Sequence, residues 1–305
     1  MGIVLKTFDL TKTYRQTRAV DNACMTVSEG DIYGFVGENG SGKTTIIRLI
    51  SGLIFADSGS YELFGVKSTD PKIVEARRKI GAIVESPSIY PNMTAIDNVK
   101  LQSKLLGVDG DEQFYKDALK EVGLDADVLG KKKAGDFSLG MRQRLAIAMA
   151  LVGKPQFIML DEPMNGLDPA GIVEIRELIL KLNRENKITF LISSHILTEL
   201  ALVATKYGII SKGRIVEEIT AKQLHEKCGK YVIVKTDNNQ KLIELVSVLK
   251  GAIAIEDGDS VKISGDVQLT ELLKVISNSD LNVEKVNCEE TSFEQYYLSI
   301  IGGKK

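Results

Sequence analysis

Short apolar runs punctuate the first two thirds of the chain, at residues 32–36, 80–84, 157–160, 189–192 and 207–210. Each is bounded by turn residues and separated from the next by stretches with helical spacing, a pattern expected of strands in a largely parallel sheet. Between Ser86 and Gly153 the strand pattern stops. Residues 97–106 and 114–122 there carry apolar side chains at helical spacing, so an all-helical insertion over about 86–153 is expected. From about Ala221 the pattern changes again. Strand-like runs at 231–235, 252–255, 261–263 and 283–287 alternate with helical ones at 242–249 and 269–276, and Asp257-Gly258-Asp259 supplies a turn. The order β-α-β-β-α-β predicts a small ferredoxin-like α+β domain over 221–305, closed by a last helix from Ser292, beside an α/β domain over 1–220.

With 305 residues the length agrees with two domains, at ~150 residues each. Hydrophobic residues at 44% and charged ones at 26% exclude wholesale disorder. The net charge of -2 leaves no overall field to hold nucleic acid, and no nucleic-acid partner is expected. Cys24, Cys228 and Cys288 are too scattered for a disulfide framework or a zinc site, which suits a reducing cytosol. The longest uncharged apolar run, 145–153, falls far short of the ~20 residues that span a bilayer. The expectation is therefore a cytoplasmic chain that does not itself cross a membrane. The run Lys131-Lys132-Lys133, set between Gly130 and Gly135, reads as a solvated loop.

The strongest chemical pattern is Gly37-Glu38-Asn39-Gly40-Ser41-Gly42-Lys43-Thr44, which directly follows the run at 32–36 and precedes a helix from Thr45. Glycines are needed because backbone N–H groups must turn inward around phosphates where a Cβ would block the turn or the approach. Lys43 would then reach the β- and γ-phosphates, Thr44 would offer its hydroxyl to Mg²⁺, and the helix start would add its positive end. A second apolar run delivers Asp161 and Glu162 at its C-terminal end, where ligands of open α/β sheets bind. Asp161 is expected to hold Mg²⁺ through water. Glu162, pointing the other way in a strand-like backbone, is expected to orient and deprotonate the attacking water. Together these motifs specify an Mg²⁺-dependent ATPase or GTPase. The nearest match to a guanine reader, Asn186-Lys187-Ile188-Thr189, lacks the required Asp, so ATP is favoured.

At this point roughly the first 220 residues resemble the nucleotide-binding subunit of ATP-binding cassette transporters. Phe137-Ser138-Leu139-Gly140-Met141-Arg142-Gln143-Arg144 is similar to the cassette signature, with Leu139 in place of the first glycine and Met141 in place of the final glutamine. Pro163-Met164-Asn165-Gly166-Leu167-Asp168 resembles the family's D-loop, and His195 fits its switch histidine. Tyr14 fits the aromatic that stacks on adenine. Glu85 stands where the family usually has a metal-facing glutamine, and with the altered signature this resembles the branch that exports bacitracin-type and lantibiotic peptides. The resemblance implies a P-loop (RecA-like) ATPase core with a β-subdomain and the helical insertion. It also implies ATP and Mg²⁺ as cofactors, with catalysis by Glu162, His195 and Lys43. Nucleotide contacts would come from Tyr14, residues Gly37 to Thr45 (Thr45 included), Ser138 and Gly140. Metal contacts would come from Thr44, Glu85 and Asp161. It further implies a homodimer in which each ATP is sandwiched between one phosphate loop and the other copy's signature. Integral membrane permease subunits would hold the chain at the inner face of the cell membrane, docking near residues 85–93. The last helix, with Phe293, Tyr296 and Tyr297, reads as packing. Two rival readings are a cassette ATPase acting on ribosomes, which usually carries two cassettes in one chain, and a DNA-repair ATPase, which would need long coiled-coil heptads.

Overall fold

A computed structural model of the chain describes residues 2–85, 88–249, 251–265 and 268–302. Ser86 and Pro87, at the expected start of the insertion and within the expected docking loop, lie outside the described residues. The chain divides into two compact units, Met1–Thr220 and Ala221–Lys305.

In chain order the first unit runs β1 (Ile3–Tyr14), β2 (Thr17–Ala23), β3 (Thr26–Ser28), β4 (Ile32–Val36), α1 (Lys43–Ser51), β5 (Ser58–Leu63), β6 (Val66–Lys67), α2 (Ile73–Arg77) and β7 (Ile80–Ile83). It continues with α3 (Ala95–Leu106), α4 (Glu112–Glu121), α5 (Ala126–Leu129), α6 (Leu139–Leu151), β8 (Phe157–Asp161), α7 (Pro169–Asn186), β9 (Thr189–Ser194), α8 (Leu197–Ala201), β10 (Lys206–Ser211) and β11 (Arg214–Thr220). Six strands form one sheet in the order β11-β10-β4-β9-β8-β7, parallel except for β11 at its edge. Every residue of β4, β8 and β9 is buried, which is why these strands read as continuous apolar runs rather than alternating ones. A second, antiparallel sheet takes the order β2-β1-β5-β6, with β3 paired to β1. Helix α1 shares a core with both sheets: Ile46 and Ile50 lie in one cluster with Leu5, Val27 and Leu63 and with Phe157, Met159 and Leu191. The helix that carries the phosphate-loop motif is therefore anchored from two sides.

Strand β9 runs two residues past its apolar run because Ser193 and Ser194 are buried too, and the ladder continues through the Asp161↔Ser193 pair. The helical insertion holds α3 to α6, with Thr94, Asp111, Asp125 and Ser138 as side-chain N-caps. Lys131, Lys132 and Lys133 are exposed, as expected of a solvated loop.

The second unit opens with a helix the periodicity did not reveal, α9 (Ala221–Lys227). It then runs β12 (Gly229–Thr236), α10 (Asn239–Ser247), β13 (Ala252–Asp257), β14 (Ser260–Gly265), α11 (Leu269–Ser277), β15 (Val283–Thr291) and α12 (Phe293–Gly302). Its sheet is antiparallel in the order β13-β14-β12-β15, the ferredoxin-like arrangement. Val234, Val261 and Ile263 from the sheet close on Leu242, Val246, Leu272 and Ile276 from α10 and α11.

One buried polar side chain holds the approach to the insertion. Asn98, fully buried on α3, accepts the Tyr90 N–H at 2.7 Å and donates to the carbonyls of Tyr90 at 3.1 Å and Thr94 at 2.9 Å. Asn98→Ala removes these three hydrogen bonds and is expected to cost about 1–3 kcal/mol. The check is a lowered urea midpoint at unchanged m-value.

Candidate functional site

The loop between β4 and α1 is shaped by backbone that crowds it. A Cβ at Gly37 would lie 2.5 Å from Ser41 Oγ and 2.6 Å from the Ile210 carbonyl of β10. Gly42 has φ +112°, and a Cβ there would come within 2.4 Å of the Ala19 carbonyl of β2. Neither neighbour can yield, because both are main chain of paired strands. The loop apex, Glu38, Asn39 and Gly40, is exposed, whereas Gly37, Ser41, Gly42 and Lys43 are buried and Thr44 and Thr45 are half-buried.

Two features of this loop suit an anion. The N-terminus of α1 carries no side-chain cap, so its first N–H groups lack the usual acceptor. Among the described residues, buried Ser41 Oγ has no hydrogen-bond partner. Lys43 Nζ donates to the carbonyls of Gly37 at 2.6 Å and Glu38 at 3.2 Å and stands 3.4 Å from Glu162 Oε1. A buried cation held on its own loop's carbonyls is placed to exchange neutral acceptors for an anionic one.

Asp161, 3% exposed at the end of β8, accepts two hydroxyl hydrogen bonds: from Thr44 Oγ1 to Oδ2 at 2.7 Å and from Ser193 Oγ to Oδ1 at 2.5 Å. This set of hard oxygen donors suits Mg²⁺. Glu162 departs from expectation. Its backbone is left-handed, φ +51°, rather than a continuation of the strand. The reason is the reversal that starts there: Glu162 N–H donates to Ser193 Oγ at 3.0 Å, and its carbonyl accepts from Asn165 N–H at 3.1 Å to close a turn. The turn aims the carboxylate at His195, whose Nδ1 lies 2.8 Å from Oε2, and at Lys43.

Lys43, Thr44, Asp161, Glu162 and His195 are thus joined in two contact groups, Thr44–Asp161–Ser193 and Lys43–Glu162–His195. Other candidates stand elsewhere. Glu85, exposed and with φ +63°, pairs with Arg48 Nη2 of α1 at 2.5 Å, so its carboxylate ties the chain after β7 to that helix. Tyr14 is half exposed at the end of β1. Ser138 caps α6, accepting Met141 N–H at 3.2 Å, and Gly140 faces Leu167, whose Cδ2 would be 3.8 Å from a Cβ there. Sequence reasoning missed Ser193 and Arg48. The only signal for Ser193 was its place just past an apolar run, which gains meaning once β9 is known to pair with β8.

A family model described as "ABC transporter" matches residues 20–165. The chain is 40% identical to the bacitracin transport ATP-binding protein BcrA of Bacillus licheniformis over 306 aligned positions, covering 99% of each. It is 39% identical to the lantibiotic transport ATP-binding protein SrtF of Streptococcus pyogenes, covering 79% of this chain and 99% of that one. Among solved structures it is similar to the dimeric post-hydrolysis state of the ATP-binding cassette MJ0796 bound to ADP and Pi, at 26% identity and TM-score 0.64. That match covers 71% of this chain and 98% of the other.

Gly42→Ala forces a methyl onto the Ala19 carbonyl and a side chain into the left-handed region. The variant is expected to store about 1–3 kcal/mol of strain. It should melt earlier and lose triphosphate affinity in parallel, as followed by thermal denaturation and by titration with a fluorescent nucleotide.

Proposed function

The chain belongs to the ATP-binding cassette transporter family, and from that premise we propose that it powers the export of peptide antibiotics of the bacitracin or lantibiotic kind. The observation that carries the ATPase reading is the uncapped start of α1, with orphaned Ser41 Oγ and buried Lys43, facing the Asp161–Thr44 pair. The cargo class rests on the relatives, one of them similar over nearly the whole of both chains.

In this reading the N–H groups of residues 37–44 surround the phosphates of ATP, and Lys43 leaves the Gly37 and Glu38 carbonyls to face them. Thr44 and Asp161 would hold Mg²⁺, which when bound supplies positive charge against the phosphates. Glu162 orients the attacking water and accepts its proton, while its contact with His195 fixes the carboxylate's direction. Ser138 accepts a hydrogen bond as an N-cap, so its own O–H remains free to donate to a γ-phosphate. Leu139 and Gly140, next to Ser138, face the turn before α7, and in this reading the Ser138 donor would serve a second copy in a homodimer. Among the described residues no helix is long and apolar enough to cross a membrane. In this reading separate permease subunits supply the membrane path and keep the chain at the inner face of the membrane. Glu85 is the coupling residue in this scheme, since its partner Arg48 lies on the phosphate-loop helix.

Lys43→Ala is expected to weaken ATP binding. Glu162→Gln is expected to retain binding but to slow hydrolysis by about a hundredfold or more, with an ATP-bound dimer accumulating on size exclusion. Normal turnover by Glu162→Gln removes its assignment as base.

Glu85→Ala is expected to keep substantial ATPase activity while abolishing resistance to cell-wall peptide antibiotics in cells carrying the permease. Wild-type resistance would place the coupling contact elsewhere, and recovery of the protein on ribosomes instead of with a polytopic membrane protein would sink the transporter reading.

A further inference from the structure

The ladder of the hairpin that carries Tyr14 is paired to its tip but irregular. Strand β1 is irregular near its end, with register shifts between Leu10 and Lys12 and between Lys12 and Thr13, before the last pair Tyr14↔Thr17. Arg15, in the turn, is left-handed at φ +54°. A two-stranded tip of this kind is marginal alone and needs outside support to keep one geometry.

Two carboxylates supply it from opposite sides. Asp57 follows α1 in the chain. Its Oδ2 accepts the Thr13 N–H at 2.6 Å, its Oδ1 accepts from Lys12 Nζ at 2.8 Å, and its own N–H donates to the Thr11 carbonyl at 2.9 Å. Lys12 Nζ in turn lies 5.8 Å from the Tyr14 ring centre. On the other side Asp21, almost wholly buried on β2, accepts from Arg214 Nε at 2.5 Å and Arg18 Nη1 at 2.8 Å. The Asp21 N–H donates to the Gly213 carbonyl at 2.8 Å, and the Gly213 N–H donates to the Ser41 carbonyl at 2.9 Å. Gly213 can lie there only as glycine: φ is +81°, and a Cβ would stand 2.9 Å from the Ala19 carbonyl. The Asp21 carboxylate thus holds Arg214, next in the chain to Gly213, which bonds the phosphate loop, while Asp57 ties the hairpin to the segment leaving the phosphate-loop helix. Both carboxyls are held below the usual carboxylate range, Asp57 chiefly by the hydrogen bond from Lys12 and Asp21 chiefly by that from Arg214, so both are ionised at neutral pH.

We propose that Asp57 and Asp21 are positioning residues that clamp the Tyr14 hairpin to the phosphate loop and thereby set the spacing at which adenine and triphosphate are met together. The proposal rests on the reading that the loop takes the phosphates and Tyr14 the base. Neither carboxylate touches ATP; each acts through Tyr14. Loss of the clamp should therefore cost affinity for the whole nucleotide and leave the phosphate subsite intact.

The test is equilibrium binding of MgATP and of magnesium tripolyphosphate, which lacks the base, to the full chain and its variants. Asp57→Ala and Asp21→Ala are each expected to weaken MgATP by about fivefold, the scale of a misplaced aromatic stack, and to change tripolyphosphate by less than about twofold. In a Tyr14→Ala background the same substitutions should cost nothing further, a non-additivity that a general loss of stability would not produce. Asp57→Asn, which keeps an acceptor for the Thr13 N–H, should retain most of the affinity, and Asp21→Asn provides a variant of unchanged volume should Asp21→Ala fail to fold. Equal losses for ATP and tripolyphosphate, or additive losses on Tyr14→Ala, overturn the clamp. Wild-type ATP affinity in both aspartate variants with weakened Tyr14→Ala overturns the clamp alone; wild-type affinity in Tyr14→Ala removes the adenine assignment and the clamp with it.

Discussion

A carboxylate buried at the end of an apolar strand is the constraint around which the cassette unit is organised. Asp161 follows four fully buried residues and is itself almost wholly buried. Taking that charge out of water costs several kcal/mol unless hydrogen bonds replace the lost solvation. The replacements come from Thr44 on α1 and Ser193 on β9, both short enough to count as charge-assisted bonds. They are available only when the helix and both strands stand in this order. The same helix and strands consequently carry both the core and the site.

The same economy of space governs the loop. Gly37 meets the Ile210 carbonyl, Gly42 meets the Ala19 carbonyl, and Gly213 meets both β2 and the loop, so main chain packs on main chain where side chains would ordinarily separate the strands. The loop's N–H groups are thereby backed by paired strands and have little room to relax. Immediately beyond Asp161 the backbone turns left-handed at Glu162, which separates two adjacent carboxylates into different tasks. One stays with the hydroxyls of Thr44 and Ser193, and the other swings to the Lys43 and His195 side.

Departures from the usual cassette signature have a packing counterpart. Leu139, where glycine is usual, brings its Cδ2 to 3.3 Å from where a Cβ would stand on Gly166 in the turn before α7. The methyl group fills the space the second glycine leaves, so the start of α6 and that turn stay in contact. Ser138 still caps α6 with its acceptor lone pair and keeps its donor. Leu139 therefore changes the apolar filling of the contact while the Ser138 cap is kept.

The chain's periodicity by itself determined the buried strands, the helical insertion and the βαββαβ order of the second unit, because fully buried strands and amphipathic helices leave local, repeating signals, and the phosphate-loop motif was legible from its residue spacing. Adjacent Asp161 and Glu162 were legible for the same reason, at the end of an apolar run. Their geometry was not. Whether Glu162 continues a strand or turns away depends on Ser193, 31 residues on, and no local pattern encodes a partner reached through strand order. Ser193, Arg48, Asp21 and Asp57 were invisible for that reason: each is an ordinary polar residue until the sheets bring it to a hydroxyl, an ion or a main-chain N–H. Short-range burial is written along the chain, whereas polar pairing between distant segments is decided only when the tertiary fold brings the partners together.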